Sequence, residues 1–483
     1  MNNISKTIKY TIYSFILSGT IILIFYQGIK RYIINLPTIY HSLFFLFLGI
    51  WLWGININVL EKTNIDCSFL LTPAEERPLR NSSKNYVNYK DIYKLAMSYT
   101  FIFFFSTTIY NICGIYWEKT TIEWIAVATL LISLYTLFMS NKALYKNERM
   151  KFVKALKRIV TPNFKVETSF SDVVLADLIT SFSKVVGDMY VALAEIFIEV
   201  VIVPLADKRY GDAELTSNGK SLKDISIHKH HHILLDLFGS LMILVPYLFR
   251  LRQCIADYFT KATKEQRNKS FFNAIKYATS IPLYILSGYY SWVKSDIKNT
   301  NEKELLEPLY QHAKVVFTLW VIASFVNSAY SYYWDVFNDW ELLKRRSNLN
   351  ENFPFLLRPV LHFSKHWTYY VVMIVDLVLR FTWFVDVFPI FQLKNPFLVD
   401  DTPTVPEDII KMQIEKLLLS RLLLRLLEII RRWLWIFFRL EREWVYTRSE
   451  YVRIEDDCRD YRTINSASES KNDNKNLFNT RFV

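Results

Sequence analysis

Stretches of about 20 mostly apolar residues recur along this chain, each long enough to cross a hydrocarbon core of about 30 Å as an α-helix. They fall near 9–27, 39–59, 95–117, 122–141, 171–205, 233–254, 271–293, 312–338, 367–392 and 413–438. The expected fold is therefore an all-α polytopic membrane protein with about ten transmembrane helices. A hydrophobic share of 52%, with the charges segregated between the apolar runs, fits that setting. The run at 171–205 reads either as one long tilted helix or as a broken one. No small-residue cleavage site follows the first run, which reads as a retained signal anchor rather than a cleaved leader.

Loop charges set the orientation. Lys and Arg collect after the second run (Lys62, Arg77, Arg80, Lys84, Lys90, Lys94) and after the fourth (Lys142 through Lys165). They collect again after the sixth (Lys261, Lys264, Arg267, Lys269) and the eighth (Lys344, Arg345, Arg346, Arg358). By the positive-inside rule these loops and both termini are cytosolic, and the number of spans is even. The net charge of +12 is then a topology signal plus a basic surface facing membrane lipids. No folded basic domain remains to bind nucleic acid.

Four cysteines give neither a disulfide framework nor metal-ligand spacing. His228, His230, His231 and His232 form a cluster without a Cys, Asp or Glu partner at a defined offset, which reads as a solvated, pH-responsive loop end, and no metal site is expected. The sequons at Asn81 and Asn268 fall on cytosolic loops and should be unused.

The chain changes character near residue 165. Residues 1–141 hold four spans with few buried charges, a scaffold, and 142–170 form a basic cytosolic linker. Each later span carries ionisable groups: Asp177 and Lys184, Asp236 and Arg250, Lys276, Asp335 and Asp339, Asp376 and Arg380. Residues 446–483, rich in Ser, Asn, Asp, Lys and Arg, read as a disordered cytosolic tail.

In the last run Arg421, Arg425, Glu428 and Arg432 stand at offsets of four, three and four, which is one stripe of a helix, with Arg431 beside it. Charges at membrane depth cost roughly 2.5–3.5 kcal/mol each and face a bundle interior or a water-filled path. The same stripe also fits a basic amphipathic helix lying on the membrane surface, and the spacing leaves both readings open. Asp376 precedes Arg380 by four residues, the favourable order for an intrahelical pair. Asp335 and Asp339 share a face, where two carboxylates need a proton or a cation between them. Bases outnumber acids nearby, which leaves positive potential for an anion, and guanidinium forks match phosphate or carboxylate oxygens.

Asp376-Leu-Val-Leu-Arg380-Phe-Thr-Trp383, Trp334-Asp335 through Asp339-Trp340, and Leu427-Glu428-Ile-Ile-Arg431-Arg432-Trp-Leu-Trp435 through Glu441 resemble the signature segments of the EXS domain. That domain is the transport half of a family of phosphate exporters. Weaker matches are Leu175-Ala176-Asp177 with Ser183, Pro246 to Arg250 with Gln253-Cys254, and Asn273 to Tyr277. Together they run in family order from about 170 to 445. The resemblance implies that the last six helices, residues 171–445, form an inorganic phosphate path lined by Asp177, Arg250, Lys276, Asp335, Arg380, Arg431 and Arg432. Ser183, Asp339 and Asp376 support it, Glu428 tunes the paired arginines and Trp383 gates it. The sequence departs from the family pattern at Leu178 and Thr180, where Asn and Gln are usual, and at Gly239, where a base is expected with Asp236 nearby.

Larger members of the family carry an SPX sensor of inositol pyrophosphates, and the first apolar run here begins too near Met1 to leave room for one. The shorter fungal members are Golgi proteins linked to returning phosphate from the lumen and to recycling glycosyltransferases, so the resemblance implies a Golgi membrane protein with phosphate as substrate and no cofactor. The other reading is a sorting adaptor whose basic loops or tail hold Golgi glycosyltransferases and coat adaptors. Homodimerisation is left open. There is no Gly-rich phosphate cradle and no nucleophile paired with a base at readable spacing, so the chain is not expected to be an enzyme.

Overall fold

The computed structural model of the chain describes residues 34–72, 88–117, 119–139, 145–161, 167–205, 237–299, 303–343, 360–385 and 415–448, with Leu235, Leu357 and Arg358. The first apolar run, the His228–His232 cluster, Asp236, Asn81 and the tail beyond 448 lie outside the described residues.

Every regular element among the described residues is helical. In chain order they are α1 (Thr38–Lys62), the short α2 (Cys67–Leu71), α3 (Tyr89–Cys113), α4 (Lys119–Phe138), α5 (Lys146–Val160), α6 (Phe170–Ser181) and α7 (Ser183–Phe197). There follow α8 (Phe238–Thr260), α9 (Lys264–Ala278), α10 (Ser280–Asn299), α11 (Lys303–Trp334), α12 (Trp367–Arg380) and α13, residues 415–448. Five of them are long and apolar enough to cross a membrane: α1, α3, Thr121–Phe138 of α4, α8, and Leu306–Asp339, which is α11 with the turn that follows it. Phe101, Phe104 and Phe105 on α3, Leu131 and Tyr135 on α4, and Ile322, Phe325 and Val326 on α11 stand exposed. Such outward faces suit acyl chains as solvent and would associate in water. The chain is an all-α membrane protein.

Of the two readings of 171–205, the broken helix is the observed one. α6 stops at Ser181, Phe182 N–H turns back to the Ile179 carbonyl at 3.0 Å, and α7 restarts at Ser183. Thr180 contributes by bonding its hydroxyl to the Asp177 carbonyl at 2.7 Å, a local bond that competes with the helical ladder. The Phe182 ring so released packs on α1 at Gly49, where a Cβ would lie 2.6 Å from its Cζ. A second interruption separates α9 from α10 at Thr279, three residues before Pro282, whose ring displaces the carbonyl one turn back.

Among the described residues two larger apolar cores, with smaller ones beside them, hold the helices. One joins α1, α3 and α4 through Tyr40, Phe47, Tyr99, Phe103 and Ala126. The other joins α1, α2, the end of α11, α12 and α13 through Leu60, Leu70, Trp340, Tyr369, Trp435 and Leu440. Where α7 crosses α8, a Cβ on Gly187 would lie 2.4 Å from Ile243 Cγ1, a β-branched atom with little room to move. Gly187→Val should therefore cost about 1–3 kcal/mol by overpacking. A fall in melting temperature of the detergent-solubilised protein, with Gly187→Ala between Val and the unsubstituted chain, checks this.

Candidate functional site

The charged residues of the later helices converge. Asp177 on α6 and Arg250 on α8 are 2% and 3% exposed and pair through two bonds, Nε to Oδ1 at 2.6 Å and Nη2 to Oδ2 at 3.3 Å. Asp177 stands four residues before the end of α6, and Arg250 four residues after Pro246 in α8. Tyr277 on α9 donates its hydroxyl to the same Asp177 Oδ1 at 2.5 Å, and Arg250 Nη1 donates to Gln253 at 3.2 Å. A fork held by a carboxylate and an amide, with a phenol donating to the same carboxylate, meets the condition under which a buried ion pair is tolerated.

Asp335 is the hub. It is fully buried at the start of a π-helical turn, Asp335–Asp339, that closes α11 with Trp340 N–H donating to the Asp335 carbonyl. Such a turn adds a residue to the helix and re-aims the side chains on it. Lys276 of α9 lies 3.4 Å from Asp335 Oδ1 and 3.8 Å from Asp339 Oδ2, so one ammonium separates the two carboxylates. Arg380 of α12 donates to Asp335 Oδ2, and Arg431 of α13 stands 3.5 Å from it. The expected bridge between Asp376 and Arg380 does not form: Arg380 reaches across to Asp335, and Asp376 accepts from Arg431 at 3.3 Å. Favourable spacing along a surface helix is outweighed here by more deeply buried partners on neighbouring helices.

Arg431 is gripped by Glu428 one turn earlier, at 2.6 and 3.1 Å. Arg432 is 3% exposed and differs from the other cations of the cluster. Its Nε donates to Ser181 at 3.0 Å, its Cζ lies 4.6 Å from the Trp435 ring centroid, and its Nη1 has no hydrogen-bond partner. No carboxylate among the described residues forms an ion pair with it. Ser181 in turn donates to Glu428 at 3.0 Å. Farther out on the stripe, Arg425 holds Asp188 of α7 by two bonds of 2.6 and 2.8 Å, and Arg421 is exposed. Burial of Arg431, Arg432, Trp435 and Glu441 puts α13 inside the bundle, which removes the surface-helix reading.

Not every expected residue joins this cluster. Ser183 is buried on the far side of the Phe182 break, beside the hydrogen-bonded pair of Tyr284 and Tyr247. Trp383 donates its indole N–H to Ser328 at 3.0 Å and meets Trp320 edge-on, between α11 and α12. Leu178 packs in the apolar core, and Gly239 admits Val191 of α7 at close range. Conversely, Ser181, Tyr277 and Gln253 are direct partners that spacing alone did not single out. The excess of base expected from the sequence narrows: Arg250, Lys276, Arg380, Arg431, Arg432 and Arg439 face Asp177, Asp335, Asp339, Asp376 and Glu428, six against five, with Arg439 shared with Glu443. Among the described residues no three His, Cys, Asp or Glu side chains converge as a metal site.

Chemically, the cluster offers guanidinium forks, an ammonium and hydroxyl donors in a dry setting, each already engaged by an internal carboxylate except at Arg432. An oxyanion entering here meets fixed donors in place of its hydration shell, and it competes with those carboxylates for the forks.

A model of the EXS family matches residues 36–445, a region that takes in α1 through α4 as well as the charged helices. Protein ERD1 homolog 1 of Schizosaccharomyces pombe is 24% identical over 432 residues, covering 89% of this chain and 96% of that protein. The xenotropic and polytropic retrovirus receptor 1 homolog of Xenopus laevis is 26% identical over 330 residues, 68% of this chain and 40% of its own length. Solute carrier family 53 member 1 of Homo sapiens is 24% identical over 323 residues, 67% of this chain and 39% of its own. The chain thus spans nearly all of the first relative and about two fifths of the other two.

Proposed function

The chain belongs to the EXS family, and we propose that it moves inorganic phosphate across the Golgi membrane as a transporter or channel, returning phosphate from lumen to cytosol and so supporting glycosylation. The observation that carries this reading is Arg432: a buried guanidinium with a free donor and no paired carboxylate, set beside Arg431 and Ser181. A cation so placed is costly unless an anion shares its site, and a planar fork fits a tetrahedral oxyanion. Binding and displacement suffice for this role, with no covalent step. Likeness to proteins named ERD1 supports the Golgi assignment, and likeness to one named as a solute carrier supports transport. Both termini face the cytosol in this reading.

Purified protein in liposomes should take up radiolabelled phosphate in preference to chloride, with half-saturation set by competition at the forks. Absence of flux from folded protein, together with mislocalised glycosyltransferases when residues 446–483 are removed from cells, would instead make the chain a sorting adaptor.

A further inference from the structure

Asp376 is the one carboxylate of the five whose setting contradicts a fixed negative charge. It is 2% exposed, and only Oδ1 accepts a hydrogen bond, from Arg431 at 3.3 Å. Oδ2 has no partner among the described residues, and the residue borders a gap too narrow for a water molecule, lined by Trp340, Val372, Leu379, Leu434 and Trp435 with Arg431. The groups that face it are Arg431 of α13, Asp335 and Tyr332 of α11 with its π turn, and Arg380 of its own helix. Arg431 is shared with Glu428, which takes two of its bonds, and Arg380 is committed to Asp335. Asp339 also has an unbonded oxygen, but it lies between Lys276 at 3.8 Å and Arg439 at 3.9 Å and its side chain is 14% exposed. A carboxylate with an orphan oxygen in an apolar wall is better accommodated with a proton on that oxygen.

The charge count gives this proton a role. With all five carboxylates ionised, the cations of the cluster are largely compensated, Arg439 being shared between Asp339 and Glu443. A proton on Asp376 Oδ2 adds one positive charge, which a single monovalent oxyanion cancels. Resting on the phosphate reading, we propose that Asp376 is the proton site of an anion symport, in which one proton from the loading side binds Oδ2 as the anion enters and both leave together on the other side. Loading then favours the more acidic compartment.

The experiment uses the full-length protein in liposomes with potassium and valinomycin setting the membrane potential. At pH 5.5, where phosphate is monovalent, uptake by the unsubstituted protein should not respond to the potential, because the proton cancels the anion's charge. At sub-saturating phosphate, uptake should fall by up to about tenfold per pH unit as the pH rises, the limit for linkage to one proton. Asp376→Asn makes the position permanently neutral, so its uptake should respond to potential and should lose the part of the pH profile not due to phosphate's own ionisation, which both proteins share. Asp339→Asn should keep the pH profile. Uptake by the unsubstituted protein that follows the potential as a single charge, or an Asp376→Asn profile that matches the unsubstituted one, overturns the symport while leaving phosphate transport standing. If Asp376→Asn does not fold, the potential test on the unsubstituted protein decides alone. No phosphate uptake by the folded unsubstituted protein overturns the underlying reading instead.

Discussion

Arg432→Ala is expected to lower phosphate flux by on the order of a hundredfold or more in a protein that still folds, since truncating a buried charged contact costs about 2–5 kcal/mol. The neighbouring Arg431→Ala should behave differently. Arg431 grips Glu428, donates to Asp376 and stands within reach of the fully buried Asp335, so its removal leaves these groups short of a partner, a loss of up to about 3–5 kcal/mol. Arg432 strands nothing of the kind, because its side-chain partners are the Ser181 hydroxyl and the Trp435 ring. Two adjacent arginines therefore separate transport from stability. Melting temperature and elution volume in detergent should stay near normal for Arg432→Ala and collapse for Arg431→Ala. Arg432→Lys keeps the charge but not the fork, and should recover folding fully and flux only in part. Normal flux in Arg432→Ala would remove this residue from the anion path.

Much of this arrangement can be read along a single helix, and the part that cannot is the choice of partner across helices. Ten apolar runs announce a helical membrane protein, and five of the described helices meet the length and composition of a span. The charged run of α13 interrupts its own hydropathy, which is why spacing alone could not decide between a surface helix and a buried one. Burial decided it, through Trp340 and Tyr369, residues far away in sequence. Ser181 and Ser183 show the same limit on a smaller scale. Two residues apart, they flank a break at Phe182 that depends on a glycine of α1, so only one of them reaches Arg432. The π turn at Asp335 leaves no mark in apolar periodicity either, yet it sets the one ammonium between Asp335 and Asp339.

Asp335→Asn should be the most destabilising isosteric change in the molecule. The carboxylate joins Lys276 of α9, Arg380 of α12 and Arg431 of α13 to the end of α11, so a neutral amide leaves three buried cations facing one another. Their mutual repulsion is opposed by the neighbouring Asp339 and Glu428, and the expected loss is several kcal/mol, within the range of about 3–5 kcal/mol for breaking a buried pair. Removing a cation at the same time should recover part of that loss. In a double-mutant cycle on thermal stability, Asp335→Asn with Arg380→Gln should show a coupling of about 0.5–3 kcal/mol, the range for residues in direct contact. The cycle of Asp376→Asn with Arg380→Gln should show much less, because those two side chains, although one helical turn apart, are bonded to other partners. Charge reversal of Asp376 and Arg380 together should accordingly fail to restore a folded protein. Equal coupling in the two cycles would return Arg380 to its own helix and dissolve the hub at Asp335.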